Sequence, residues 1–335
     1  MRAVFVHSPM VFRLDEVDEP EMGDDDALVR VKACGVCGSD LAYIASGVTG
    51  FNKPKLGPSA LGHESSGEVV AVGRNVSGVA VGDRVAINPV DFTAGTIGNG
   101  GPEGAFADLL LVRDAGRPGK LIPIADALPF EIAALAEPMG VALHAVNRSG
   151  ATPDSRVVVL GVGPIGLGAV IWLKHQGVRH VVAVDLSPER LARARRFGAD
   201  ATIRAGEGDL AEQLVSLHGV GRRGAPDTDV FIDAAGAPPA LEEIIRIAKF
   251  GARLTIVAVY KQPVMMDLSA MLHKEMILTT SVAYPHELGE VVAFLGANAE
   301  LMRGYISDEF PLADFDVAIR RARQPDSAKV MVRMA

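Results

Sequence analysis

Residues 156–185, RVVVLGVGPIGLGAVIWLKHQGVRHVVAVD, constrain the fold of this chain more than any other stretch. The apolar, β-branched residues 157–160 are typical of a strand buried on both faces of a parallel sheet. Gly161, Gly163 and Gly166 then give the spacing G-x-G-x-x-G. This spacing permits a tight turn, a close approach of pyrophosphate to the backbone and close packing of helix on strand. The stretch therefore predicts a dinucleotide-binding strand, turn and helix.

The residues around these glycines indicate which dinucleotide binds. Pro164 suits the first turn of a helix, where free N–H groups would face the phosphates. Asp185 lies 19 positions after Gly166, where a carboxylate can accept from both ribose hydroxyls, so NAD is favoured over NADP. Ile165 and Arg190 complete the predicted cofactor-binding set.

Neither chance nor a membrane span accounts for this stretch as well as a dinucleotide site does. A lone glycine motif can arise by chance in a chain with 36 glycines, but here a strand precedes it, and a helix and an acid follow. Residues 157–173 are uncharged, yet this run is shorter than the usual membrane span of about 20 residues and holds four glycines and a proline. We therefore predict no membrane helix.

Length, charge and cysteine content exclude further classes of protein. A chain of 335 residues predicts about two domains, and a net charge of -8 argues against binding to nucleic acid or anionic membranes. Cys34 and Cys37 are too close in sequence to form a disulfide framework. The N-terminus lacks the apolar core of a signal peptide, so a cytoplasmic protein is expected.

The N-terminal part predicts a mostly β domain. Half-buried strand patterns occur at residues 1–7, 12–17, 27–34, 66–73 and 81–87. No helix of convincing length is predicted before about residue 130, and the glycine-rich residues 91–104 are interpreted as a connecting loop. Residues 129–150 predict a helix interrupted at Pro138.

From residue 156 onward, strands and helices alternate, which predicts an α/β fold with a doubly wound, parallel, six-stranded sheet. Asp233 ends the fourth of these strands near the expected cofactor edge, and a structural role for it is equally open. A last strand, residues 329–334, is expected to return to the first domain. We predict a discontinuous β domain, residues 1–145 and 285–335, and a nucleotide-binding domain, residues 146–284.

Residues that suit a zinc site occur in the β domain. Cys37 is followed by His63 and Glu64, and Glu137 lies in the predicted helix between the domains. Thiolate, imidazole and carboxylate are the groups that bind zinc in tetrahedral sites. Taken alone, a cysteine is more often a small buried apolar group, a His-Glu pair a surface feature and a glutamate before proline a helix end. The surrounding motifs therefore decide whether these residues are interpreted as metal ligands.

Those motifs are ACGVCGSD, LGHESSGEVVAVGRNVSGVAVGDRVAI, EGAFADLLLV, ALAEPMGVALHA and GVGPIG, in that order. They closely resemble the zinc-dependent medium-chain dehydrogenases of the alcohol dehydrogenase superfamily, with the sorbitol and butanediol dehydrogenase branch nearest. The resemblance covers nearly the whole chain. It implies a GroES-like catalytic domain, a Rossmann NAD-binding domain, a small alcohol or ketone substrate and a homodimer or homotetramer.

The resemblance also implies roles for the metal candidates. Cys37 and His63 match the family's zinc ligands. Glu64 matches a glutamate that binds the metal directly or lies just behind it. Glu137 matches the remaining protein position, where the contact is direct or through water. The choice between the two glutamates stays open.

Further roles follow from the same resemblance. Asp40 would orient the imidazole of His63, and Ser39 would take the substrate proton. Tyr43 and Tyr284 would form walls of the substrate pocket.

The chain departs from the family in three places. Residues 91–104 lack the four cysteines of many relatives, which predicts one catalytic zinc and no structural zinc per subunit. Ala42 replaces a proton-relay histidine, so protons must leave Ser39 through cofactor ribose, water or another side chain. Ala283 replaces an arginine of polyol-oxidising relatives, which favours a less polar secondary alcohol.

The predicted function is zinc-dependent oxidation of a secondary alcohol, or reduction of its ketone, by hydride transfer to or from NAD. Zinc would lower the pKa of the alcohol, and a cleft between the domains would hold the nicotinamide. Three alternatives are a polyol or vicinal-diol dehydrogenase, a metal-free quinone or enoyl reductase, and a non-catalytic NAD-binding redox sensor.

Overall fold

The computed structural model describes residues 1–47, 58–90, 96–284 and 286–335. The chain divides into two compact units: residues 1–137 with 286–335, and residues 138–285. Within the described ranges, no helix combines the length and apolar character that a membrane crossing needs. Residues 91–95 of the predicted connecting loop lie outside the described residues.

The first unit begins with strands joined by turns and short helices. The strands are β1 (Arg2–Ser8), β2 (Val11–Glu16), β3 (Ala27–Gly35), β4 (Ser59–Ala60), β5 (Glu64–Val72), β6 (Arg84–Ile87), β7 (Leu109–Val112) and β8 (Leu121–Pro123), and the helices are α1 (Gly38–Ser46) and α2 (Phe130–Ala133). The five predicted strand regions all contain strands. The short strands β4, β7 and β8 were not predicted.

Helix α1 shows that the prediction of no helix before residue 130 is wrong. Its nine residues begin with Gly-Ser-Asp, a sequence typical of a turn, so the pattern concealed it. Gly47 ends the helix in a left-handed conformation (φ 71°), and its N–H donates to the Tyr43 carbonyl at 2.7 Å. Tyr43 and Ile44 bury the inner face of the helix.

The helix predicted over residues 129–150 is divided at a different place from the one expected. Helix α3 (Ala136–Ser149) follows α2, and the break lies at residues 134–135 rather than at Pro138. Pro138 fits in the first turn of α3 because the N–H groups there have no intrahelical partner. Residues 136–149 also cross the division between the two units, so the predicted boundary after residue 145 falls within this helix.

The second unit alternates strands and helices. They are β9 (Arg156–Leu160), α4 (Pro164–His175), β10 (His180–Asp185), α5 (Pro188–Arg196), β11 (Ala201–Arg204), α6 (Leu210–His218), β12 (Val230–Asp233), α7 (Pro238–Ile247), β13 (Arg253–Ile256), α8 (Leu268–His273) and β14 (Ile277–Thr280). Within residues 138–284 the strands form one parallel six-stranded sheet in the order β11-β10-β9-β12-β13-β14. The predicted doubly wound sheet is confirmed.

The chain then returns to the first unit. Its last elements are α9 (Leu288–Ala297), α10 (Ala299–Met302), β15 (Ile306–Pro311), α11 (Phe315–Ala322) and β16 (Lys329–Arg333). Among the described residues, the main sheet of this unit has the order β15-β16-β3-β5-β6-β8, and β7 also pairs with β3. Strand β16 runs antiparallel to β3, with Met331 opposite Gly35, so the expected return of the last strand is confirmed.

Candidate active site

The first unit brings three candidate metal ligands together. Cys37 lies between β3 and α1, His63 lies just before β5, and Glu64 begins that strand. Their sulfur, nitrogen and carboxylate oxygen atoms lie within 4.8 Å of one another. Cys37 is distant in the sequence from the other two, so the pairing of β3 with β5 creates the cluster; it places Gly35 opposite Glu64.

Asp40 links the two segments that carry these ligands. Its carboxylate accepts from the backbone N–H of Cys37 at 2.9 Å and from that of Gly62 at 3.2 Å. Its Oδ1 lies 3.8 Å from Nδ1 of His63, which is beyond hydrogen-bond distance. Asp40 thus fixes the backbone on both sides of the cluster, and its predicted orientation of His63 stays a prediction.

Gly62 allows the chain to pass closely behind His63. Its φ is 89°, a conformation that favours glycine. A Cβ atom there would lie 2.8 Å from the backbone nitrogen of Phe106 and 3.0 Å from Sγ of Cys34. Cys34 is therefore a packing residue at this point, and its side chain is fully buried.

Neighbouring charged groups shift the pKa of His63. Burial lowers the pKa of His63, but Cys37, Asp40 and Glu137 outweigh burial and raise that pKa well above its ordinary value. Burial also raises the pKa of Asp40, and His63 opposes the rise. The acidic groups around His63 therefore favour a positive charge at this position.

The donor set fits zinc. A thiolate, an imidazole and a carboxylate are the ligand types of catalytic zinc sites. Nδ1 of His63 is buried and has no hydrogen-bond partner among the described residues. Glu137, in the first turn of α3, lies outside the close cluster but near enough to influence the pKa of His63 and of Tyr305.

Lys329 is a site residue that the sequence analysis missed. Its Nζ donates to both carboxylate oxygens of Glu64, at 2.6 and 2.5 Å, and to the Val36 carbonyl at 3.1 Å. The side chains of Lys329 and Glu64 are 2% and 1% exposed. The sequence feature that could have indicated Lys329 is a lysine at the start of the otherwise apolar run KVMV. The pairing of β16 with β3 places this lysine beside Gly35. A Cβ on Gly35 would lie 2.1 Å from Glu64 Oε2 and 3.1 Å from Cδ of Lys329.

The residues predicted for the substrate side have distinct environments. Ser39 Oγ is buried and has no hydrogen-bond partner in the described parts of the chain. Tyr43 is buried in the first unit, and a Cβ on Gly100 would lie 3.3 Å from its ring. Tyr284 is buried in the second unit.

The dinucleotide motif forms the predicted turn between β9 and α4. Gly161 has φ 76°, and a Cβ there would lie 2.7 Å from Cα of Ala235. A Cβ on Gly166 would lie 1.8 Å from the Gly161 carbonyl oxygen. A Cβ on Gly163 would meet only Arg190, whose Nη1 is 3.7 Å away. The first and third glycines are therefore required by packing, whereas Gly163 leaves open space beside the helix start at Pro164 and Ile165.

Asp185 ends β10 beside this turn. One carboxylate oxygen accepts from the N–H of Val162 at 2.8 Å, and the other accepts from the N–H of Ser187 at 2.9 Å. Asp185 is 9% exposed. Each carboxylate oxygen has a second lone pair, so these bonds leave acceptor capacity for a ribose.

Comparisons with known proteins identify the family of this chain. The family model described as zinc-binding dehydrogenase matches residues 164–297, and the model described as alcohol dehydrogenase GroES-like domain matches residues 23–124. Sorbitol dehydrogenase of Bacillus subtilis is 30% identical over 99% of this chain and 97% of its own.

Two solved structures extend the likeness to the fold. The crystal structure of 2R,3R-butanediol dehydrogenase from Bacillus subtilis has a TM-score of 0.87 and 26% identity, and covers 99% of both chains. An alcohol dehydrogenase from E. coli CFT073, complexed with NADH, has the same TM-score, identity and coverage.

Proposed function

Because this chain belongs to the zinc-binding, GroES-like alcohol dehydrogenase family, we propose that it oxidises a secondary alcohol with NAD⁺, or reduces the corresponding ketone with NADH. The observation that carries this proposal is the cluster of Cys37, His63 and Glu64, whose donor atoms lie within 4.8 Å of one another and in which His63 and Glu64 are buried. The relatives are named dehydrogenases, so a non-catalytic redox sensor is set aside. A metal-free reductase has no need of this donor set.

The proposed metal site contains one zinc per subunit. Cys37 and His63 would hold it, together with a carboxylate from Glu64 or Glu137. One oxygen of Glu64 can bind the metal while the other stays bonded to Lys329, because each carboxylate oxygen has two lone pairs. No structural zinc is proposed, because the chain contains only two cysteines, Cys34 and Cys37.

The chain's own groups would then position the alcohol and its proton. Zinc, when bound, supplies a Lewis acid that lowers the pKa of an alcohol. The Ser39 hydroxyl, free of other hydrogen bonds in the described residues, would accept the substrate proton. Ala42 offers no relay group, so the proton would continue through cofactor ribose or water.

The cofactor proposal rests on the glycine turn and Asp185. The N–H groups at the start of α4, around Pro164 and Ile165, would bind the pyrophosphate, with Arg190 beside Gly163. The two oxygens of Asp185 would accept from the adenosine ribose hydroxyls. A 2′-phosphate would meet this carboxylate unfavourably, which supports NAD over NADP.

A polyol or vicinal diol is the second candidate substrate class. The relatives named sorbitol dehydrogenase and butanediol dehydrogenase favour it. Ala283 favours the less polar secondary alcohol because it lacks a cation for extra hydroxyl groups. Tyr43 and Tyr284 are proposed pocket walls in either case.

Metal analysis together with a substrate panel tests these proposals. The purified protein should contain about one zinc per chain, and Cys37→Ala should lose both zinc and turnover. Cys34→Ala is the matched control and should keep both. Turnover is then measured with NAD⁺ and with NADP⁺ on linear polyols, vicinal diols and apolar secondary alcohols. The kcat/KM should be higher with NAD⁺ than with NADP⁺, and highest for the apolar secondary alcohols. Active protein without zinc would contradict the metal proposal.

A homodimer or homotetramer is proposed through the outer edge of the nucleotide-binding sheet. Among the described residues, β14 pairs with β13 only, and Ile277 and Leu278 on it are 43% and 41% exposed. Exposed apolar residues on an edge strand suit pairing with a second copy. Ile277→Lys should lower the mass measured by light scattering, and an unchanged mass would contradict this interface.

A cytoplasmic location is also proposed, because a reducing compartment preserves the Cys37 thiolate.

A further inference from the structure

Asp233 is a buried junction at the carboxyl edge of the second unit's sheet. It ends β12 and is 1% exposed. Its Oδ1 accepts from the N–H groups of Ala235 and Gly236 at 3.0 and 3.1 Å, and its Oδ2 accepts from the Tyr260 hydroxyl at 2.6 Å. A single carboxylate therefore joins the segment after β12 to the segment after β13.

The segment after β12 forms one wall of the glycine turn. The N–H of Ala234 donates to the Leu160 carbonyl at 2.9 Å, and a Cβ on Gly161 would lie 2.7 Å from Cα of Ala235. Any shift of residues 234–236 therefore moves the surface against which the turn packs.

The segment after β13 is tied to the same point. The N–H groups of Val257 and Ala258 donate to the Asp233 carbonyl at 3.0 and 3.1 Å. The partly buried ring of Tyr260 packs against the apolar core of this unit while its hydroxyl donates to Asp233. The contact between Tyr260 and Asp233 adds a side-chain tether near the end of this segment.

The strand order assigns these segments to one half of the cofactor site. Strand β9 lies between β10 and β12, and the chain crosses from one side of β9 to the other after β11. A dinucleotide binds across such a switch point. The adenosine half lies on the side of β10 and Asp185, so the nicotinamide half lies on the side of β12 and β13.

We propose that Tyr260 is a positioning residue for the nicotinamide half of the dinucleotide, acting through Asp233 on residues 234–236 and 257–260. This inference rests on the proposed function, because it requires a nicotinamide cofactor in this sheet. Without the hydroxyl, the ring would stay against the core, but residues 257–260 would lose their side-chain tether and keep only the two backbone bonds to Asp233.

Binding measurements on Tyr260→Phe test the inference. NADH and ADP-ribose, which lacks the nicotinamide, are titrated against the full chain, and the melting temperature is recorded. We expect NADH to bind about tenfold more weakly, as for loss of one hydrogen bond to a charged group, and ADP-ribose to bind as before. Equal weakening of both ligands, or no weakening of either, would overturn the proposal.

Two further variants serve as a control and as a second test. Thr255→Val removes a hydroxyl from β13 that is buried and has no hydrogen-bond partner in the described residues, so both affinities should match the wild type. Asp233→Asn keeps an acceptor for Ala235 and Gly236, but its amide would donate to the Tyr260 hydroxyl in place of the charged acceptor, so a smaller selective loss of NADH affinity is expected if Tyr260→Phe does not fold. If folded wild-type protein binds no NADH, the proposed function and this inference fail together. If it binds NADH and the Tyr260 variant binds equally well, only the inference fails.

Discussion

The two candidate sites are held together by different kinds of contact. In the first unit, a buried ion pair and a buried carboxylate fix the candidate metal ligands: Lys329 holds Glu64, and Asp40 holds the backbone around Cys37. In the second unit, Asp185 also accepts from a backbone N–H of the glycine turn, but the close packing at Gly161 and Gly166, which leaves no room for a side chain, dominates. The first arrangement should fail when a charged partner is removed, and the second when an atom is added.

Lys329→Met gives the largest expected change and tests the first half of this comparison. The substitution leaves the Glu64 carboxylate buried without its cation, and breaking a buried pair in this way costs about 4 kcal/mol. The free energy of unfolding from urea titration should fall by that amount. The double variant Glu64→Gln/Lys329→Met removes both charges and should recover part of the loss. A single variant as stable as the wild type would show that the ion pair does not organise the site.

Gly166→Ala tests the second half. Its methyl group would lie 1.8 Å from the Gly161 carbonyl oxygen, so α4 must move away from β9. We expect a loss of about 3 kcal/mol in stability, as in overpacked cores, together with loss of NADH binding. Gly163→Ala is the matched control: its Cβ meets only Arg190, so stability should be kept while the methyl group hinders the pyrophosphate. Equal stability of the two variants would break the comparison.

The same contrast explains what the sequence could predict. The strand, turn, helix and acid of the nucleotide site are contiguous in residues 156–185, so local spacing was enough to predict them. Cys37, His63 and Glu64 were predicted because each lies in a motif that resembles a family. Lys329 has no local signal of function, since its role depends on β16 pairing with β3, 265 positions from Glu64 along the chain.

Helix α1 and Tyr260 were missed for related reasons. A nine-residue helix offers only about two and a half turns of apolar spacing, and its stability comes from packing of Tyr43 and Ile44 rather than from propensity. The hydroxyl of Tyr260 finds Asp233 only after β12 and β13 align. The local sequence pattern therefore predicted most strands, helices and motifs. The hydrogen-bond partners of buried polar side chains depend on the register between strands that are distant in the sequence, so they were not predicted.

His218 is a buried, titratable side chain of the second unit, and it is 4% exposed. Burial, with His180 and Arg156 nearby, lowers the pKa of His218 to about 4. Its Nδ1 shares a hydrogen bond with Thr228 at 2.8 Å. The unfolded chain takes up a proton near the ordinary pKa of 6.5, whereas the folded chain does so only near 4. The neutral histidine therefore stabilises the fold above about pH 6.5, and this contribution is lost as the pH falls from about 6.5 to about 4.

The expected loss over that interval is on the order of 2 kcal/mol. Urea unfolding at several pH values measures it. His218→Gln should reduce the change in the free energy of unfolding between about pH 6.5 and 4. His273→Gln, on the exposed surface of α8, is the matched histidine control. An unchanged slope in His218→Gln would place the acid sensitivity elsewhere.

Ser39→Ala gives the smallest expected change in stability and sharpens the comparison most. The Asp40 and Lys329 side chains beside the candidate metal ligands are bonded to protein groups, but Ser39 Oγ is buried and has no partner in the described residues. Removing such a hydroxyl should change the free energy of unfolding by less than about 0.5 kcal/mol. Turnover should fall about 100-fold if the hydroxyl accepts the substrate proton.

Ser46→Ala, in the same helix, is the matched control for Ser39→Ala. It removes a hydroxyl that donates to the Ala42 carbonyl at 2.8 Å and should leave turnover unchanged. A clear loss of stability with normal turnover in Ser39→Ala would mean that this hydroxyl serves the fold. The proton of the alcohol would then have to leave through water or cofactor ribose directly, and the first unit would contribute only the metal ligands to the reaction.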